Sequence, residues 1–178
     1  NSNGNTGNIL SPISPAKDFE QINILYKSSA GDIYIGTFND GFFIVPAGLE
    51  NIYDKKKWIH INREINPLFP DNNIYSFTED DEGVVWIGTY RGLCNYNAST
   101  KEIIPVYIPA ANEELPEYRI WSIVFDEDKT LWCGTDNGIY LFKDEKIVKS
   151  YKTTTDKTHG LSHNSITNLF KDSNKNIW

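Results

Sequence analysis

Three kinds of side chain in this sequence have types and spacings that invite chemistry. Asp80-Asp81-Glu82-Gly83 and Asp126-Glu127-Asp128 gather carboxylates tightly enough for a calcium loop or for paired acid–base work. Neither run is followed by a Glu at the spacing of a bidentate ligand, and Asp with Gly is what a tight hairpin demands, so both read as structural turns. His159 and His163 stand four apart, but Gly160 and Ser162 fall between them in a loop, which argues against a helical metal pair. Cys94 and Cys133 belong to no CxxC pair and occupy strand positions suited to small buried side chains. No Ser/His/Asp or Cys/His arrangement and no glycine-rich phosphate loop can be placed by spacing. The expectation is a non-catalytic chain with no metal and no cofactor.

Bulk properties narrow the partners. Seventeen Lys+Arg against 24 Asp+Glu give a net charge of −7, with the acids scattered through turns, which argues against nucleic acid and anionic membrane. A hydrophobic content of 39% is enough for a real core. The longest nearly apolar stretch, Phe42 to Leu49, contains Pro46 and Gly48 and falls far short of the roughly 20 residues of a membrane helix. Residues 1–8 lack the charged-then-apolar pattern of a signal peptide, and the chain contains no Met, so a processed or trimmed piece is expected.

The elements that must position these residues are set by an internal repeat. Residues 74–89 read IYSFTEDDEGVVWIGT, 120–135 read IWSIVFDEDKTLWCGT and 166–178 read ITNLFKDSNKNIW, with a divergent copy, INILYKSSAGDIYIGT, at 22–37. Trp86, Trp132 and Trp178 recur every 46 residues, and Tyr34 precedes Trp86 by 52. Within a unit the signals are those of short strands: β-branched and aromatic runs such as Ile120 to Phe125 and Leu131 to Thr135, then Asp136-Asn137-Gly138, then Ile139 to Phe142 and Lys146 to Tyr151. No window sustains a helical apolar period. Four short antiparallel strands repeated at this length predict an all-β chain of β-propeller blades, and 178 residues predict an incomplete ring. The expected divisions are 1–20 as an N-terminal segment or partial blade, blades at 21–66, 67–112 and 113–158, and the start of a further blade at 159–178. Tyr34, Trp86, Trp132 and Trp178 are the expected core anchors between blades. Gly36, Gly88 and Gly134, inside strands, suggest close approach of a neighbouring blade or a bulge.

The text of the repeat, best seen in FPDNNIYSFTEDDEGVVWIGTYRGL at 69–93, resembles the two-component regulator propeller repeat, and the resemblance runs over residues 22 to 178. That resemblance implies the periplasmic sensor region of a hybrid histidine kinase of the Bacteroidetes kind. It also implies an inner-membrane parent anchored by a segment outside this chain, the remainder of the propeller as a partner, a homodimer, and a signal passed to a phosphorelay. The acidic turns further resemble the structural Asp-box turns of sialidase propellers.

One candidate site follows from strand direction. In a meander running from inner to outer strand, the turns between second and third strands share a rim with the links from one unit to the next. That rim collects Tyr90, Arg91, Asp136 and Asn137 with Phe38, Asn39 and Asp40 from the turns, and Tyr118, Arg119, His163 and Asn164 from the links. Planar polar and aromatic groups of this kind can stack on sugar faces and bond hydroxyls, so the expected ligand is small and polar, an oligosaccharide being the leading candidate. A propeller enzyme, such as a lyase or glycosidase, and a protein-interaction scaffold are the competing readings.

Overall fold

The computed structural model describes residues 11–12, 21–106, 118–144, 146–155 and 160–178. Its strands form three antiparallel sheets. The first holds β1 (Ser11–Pro12), β2 (Ile22–Lys27), β3 (Ile33–Thr37), β4 (Phe42–Val45) and β5 (Ile59–Ile61), with two short 3-10 turns, Leu49–Ile52 and Lys55–Lys57, before β5. The second is β6 (Ile74–Glu79), β7 (Val84–Thr89), β8 (Gly92–Asn97) and β9 (Glu102–Val106). The third is β10 (Ile120–Phe125), β11 (Leu131–Thr135), β12 (Gly138–Lys143) and β13 (Lys146–Tyr151). Strands follow chain order across each sheet, except that β1 adds to the outer edge of the first by pairing Ser11 with His60 and Pro12 with Ile59. A final hairpin carries the start of a fourth unit: Phe170 and Trp178 exchange backbone hydrogen bonds of 3.0 and 2.8 Å, and Lys171 bridges Ile177.

The sheets pack face to face as blades, with inner strand β6 beside both β2 and β10. Alternation along each second strand drives this, because its two faces serve two neighbours. Val85 and Ile87 join Tyr34, Phe42, Phe69 and Phe77 between the first two sheets, while Trp86, from the opposite face of β7, packs with Ile123, Leu131 and Phe142 between the second and third. Trp132 repeats the pattern against Leu169 and Ile166. The arc is open. Phe77, Ile123 and Leu169 are 6, 6 and 8% exposed because the preceding unit covers them, whereas Leu25, at the same repeat position in the first sheet, is 62% exposed.

Close approach between blades explains the strand glycines. A Cβ on Gly88 would lie 2.7 Å from the backbone oxygen of Ile120 in the next blade's inner strand, and one on Gly134 would lie 3.0 Å from the backbone oxygen of Ile166.

The aromatic anchors divide. Tyr34 is fully buried, and Trp86 and Trp132 are partly buried between blades. Trp178, expected as a core anchor, is 73% exposed. Trp86 and Trp132 are each covered by residues of the unit that follows them.

Candidate functional site

The second-to-third-strand turns and the interblade links do share a rim, and backbone bonds stitch them together. Gly41 N donates to Asn72 O (2.9 Å), Tyr90 N to Asn73 O (3.1 Å), and Gly138 N to Asn164 O (2.6 Å). Each turn is closed by a buried threonine whose hydroxyl donates to the glycine carbonyl: Thr37 to Gly41, Thr89 to Gly92 and Thr135 to Gly138, at 2.8 to 2.9 Å. Side chains mounted here stand on an ordered base.

Tyr90 and Arg119 are brought together. Arg119 Nη2 donates to the Tyr90 hydroxyl at 3.0 Å, and the guanidinium carbon lies 4.5 Å from the Tyr90 ring centroid and 5.6 Å from that of Trp121. Trp121 in turn meets Tyr75 at a centroid distance of 4.6 Å, and Phe38 meets Tyr75 edge-on at 5.9 Å. Burial is the main cause raising the Tyr75 phenol above its ordinary pKa, with Arg119 partly opposing it. The Trp121 indole N–H is buried with no acceptor among the described residues, a situation that costs about 1–3 kcal/mol.

A β-bulge presents Tyr75 and Trp121. Ile74 pairs with Thr89 and Ser76 with Gly88, which leaves Tyr75 as the extra residue; the same shift between Ile120 and Ser122 leaves Trp121. Bulges bend the strand and re-aim a side chain, often next to a site. The rim inventory drawn from the sequence contains neither residue. Their matching positions as second residue of the inner strand, with Asn23 in the first unit, were the signal available.

The other expected residues form separate groups. The Tyr118 hydroxyl accepts a short hydrogen bond from Asn137 Nδ2, and its ring stacks on Tyr140 at 5.9 Å, so one face of Tyr118 is already taken. Arg91 pairs with Asp71 (3.5 Å), whose other oxygen accepts from both the backbone and side-chain nitrogens of Asn73. Beside this pair, Asn39, Arg63, Glu64 and Asn72 line a polar pocket of about 350 Å³. Asp136 is exposed. His163 Nδ1 accepts from Ser165 N, and His159 lies outside the described residues.

On the opposite rim the acidic turns and the tryptophans prove to be one device. Asp80 Oδ1 accepts from the backbone nitrogens of Glu82 and Val84, and Oδ2 accepts from the Trp86 indole at 2.9 Å. Asp126 does the same with Asp128, Thr130 and Trp132, and Asp172 with Asn174, Asn176 and Trp178. Burial by itself raises the Asp126 carboxyl, but these hydrogen bonds outweigh it and hold the group below its ordinary value. Glu79, Asp81, Glu82 and Glu127 join Asp80 and Asp126 around a cleft of about 410 Å³, where Lys129 pairs with Asp81 (3.0 Å) and Lys171 with Glu127 (3.5 Å). Among the described residues no three His, Cys, Asp or Glu side chains are grouped to hold a metal. Both cysteines are free and buried; burial pushes the Cys133 thiol up to about 12 and raises that of Cys94 as well, which makes them poor nucleophiles.

Comparison with known proteins follows the same lines. Residues 68–91 and 114–137 match the two component regulator propeller family, and no curated protein matches the chain. Among solved structures, the extracellular domain named for hybrid two component system BT3049 of B. thetaiotaomicron aligns with a TM-score of 0.65 and 26% identity, over 92% of this chain and 19% of that one. The extracellular domain named for system BT4673 of the same organism aligns with a TM-score of 0.52 and 20% identity, over 93% of this chain and 27% of that one. Virginiamycin B lyase from Staphylococcus aureus shares the fold, with a TM-score of 0.61 at 16% identity over 93% of this chain and 50% of the lyase. This chain thus spans about a fifth to a half of the proteins it resembles. No helix among the described residues is long and apolar enough to cross a membrane. The chain is a run of β-propeller blades in which two segments match the two component regulator propeller family, and it is similar to the extracellular domain named for hybrid two component system BT3049 of B. thetaiotaomicron.

Proposed function

We propose that this chain is part of the periplasmic sensor region of a hybrid histidine kinase anchored in the inner membrane, and that its blades bind a small polar ligand, an oligosaccharide, rather than catalyse. The observation that supports this most is the repeat match joined to the Tyr90–Arg119–Trp121 group, where a turn of one blade and the inner strand of the next meet. A ligand seated there touches two blades at once and favours whichever arrangement of them it binds better. Only that difference in affinity can drive a signal. Rearrangement of a homodimer would carry it to the phosphorelay.

The competing enzyme reading draws on a fold shared with a lyase, and fold alone does not carry function. A transcriptional reporter in cells making the intact protein tests the proposal against a panel of glycans. The expected result is induction by one glycan class, lost in Arg91→Ala, Arg119→Ala while protein level is unchanged. Undiminished induction in that variant would move the site elsewhere, and turnover of a glycan by the purified protein would favour the enzyme.

A further inference from the structure

Arg119 is held on the rim by aromatic side chains of two blades. Among the described residues no carboxylate lies within ion-pair distance of Arg119. Its side-chain hydrogen bond goes to the neutral hydroxyl of Tyr90, and its guanidinium sits over the rings of Tyr90 and Trp121. The bond to Tyr90 uses one Nη2 N–H, which leaves the other guanidinium N–H donors to grip an oxyanion two at a time. Next to it, the partly exposed Trp121 and Tyr75 rings meet at a centroid distance of 4.6 Å, tilted 46° to each other.

We propose that Tyr75, Tyr90, Arg119 and Trp121 form a subsite for an acidic sugar, whose apolar ring face lies on the aromatic pair and whose carboxylate or sulfate is gripped by Arg119. This rests on the rim reading above and adds the ligand class. A neutral sugar uses the rings but leaves the guanidinium donors unmatched. An acidic one uses both, and the bond between two charged groups is stronger than a neutral one.

Calorimetry on the intact protein tests this with four defined probes: tetragalacturonate, a chondroitin sulfate tetrasaccharide, cellotetraose and galactotetraose. The first two separate carboxylate from sulfate, and the last two are neutral. At least one acidic probe is expected to bind more tightly than both neutral ones, with affinity falling as salt rises. Arg119→Gln should weaken that probe about 10- to 100-fold. Arg119→Lys keeps the charge without the fork and should fall between, and matched thermal melts show that both variants fold. If neutral probes bind best and Tyr90→Ala abolishes them, the rim reading stands and the acidic class is wrong. If an acidic probe binds and Arg119→Gln leaves it within about twofold, Arg119 is only a structural pin. Binding by none of the four overturns the acidic class.

Discussion

Gly88→Ala tests the packing of one blade on the next more sharply than any large-to-small change. Gly88 does not have a positive φ, so alanine fits its backbone, and the substitution alone would stabilise the protein by about 0.4–1 kcal/mol through the unfolded chain. The structure opposes that gain. The new Cβ would lie 2.3 Å from Ser76 Oγ, which can rotate, and 2.7 Å from the backbone oxygen of Ile120, which cannot move without shifting β10. Overpacking of this kind costs about 1–3 kcal/mol, so a net loss of about 1–2 kcal/mol is expected. For a chain of this size that lowers Tm by roughly 2–8 °C. Gly92→Ala is the control, because Gly92 has φ +122° and open space around its Cβ position, so its cost is conformational only. Urea and thermal unfolding of both variants provide the readout. A Gly88→Ala protein as stable as the parent, or more so, would refute close interblade approach at this glycine.

Other outcomes follow from the Asp–Trp device and the buried groups. Trp132→Phe keeps most of the ring packing but strands Asp126 Oδ2, and should cost about 1 kcal/mol in denaturant unfolding, against about 3 kcal/mol for Trp132→Ala. Because the Asp126 carboxyl is held below its ordinary value when folded, its contribution is present above the unfolded pKa and fades as pH falls through the folded one. Asp126→Asn should therefore flatten the stability profile below about pH 4 and change its shape little at pH 7, as read by acid-titrated melts. Cys94 and Cys133 should resist a thiol reagent at pH 8 until the protein is unfolded; rapid labelling of the folded protein would contradict their burial.

The sequence discloses the blade architecture readily because packing repeats its demands at a fixed spacing: a glycine where the next inner strand passes, an aromatic facing the next blade, a threonine closing each turn. The pairing of turn carboxylate with indole is there too, since Asp and Trp recur together at 80/86, 126/132 and 172/178 and are jointly replaced by Ser28 and Tyr34 in the first unit. Ser28 still caps its turn, accepting from Asp32 N, but has no second oxygen to offer an indole. Spacing alone does not reveal that bond, because it exists only once the hairpin brings residues six apart face to face. The rim was legible as a set of links and turns but not as a surface. Strict alternation places Tyr75 and Trp121 on a face without saying what lies there, and the bulges that aim them arise from how β6 meets β7 and β10 meets β11. Likewise Tyr118 looks like an open stacking ring until Asn137 and Tyr140 are seen to engage it.

Hydrogen exchange on the intact protein, with and without whichever glycan triggers the reporter, tests the ligand rim most directly. Slowed exchange is expected in peptides covering 73–76, 89–92 and 118–122, where the turns and inner-strand heads meet, with the acidic turns at 80–83 and 126–129 unchanged. Protection confined to those acidic turns, or absent from these blades altogether, would contradict the assignment of the site to this rim.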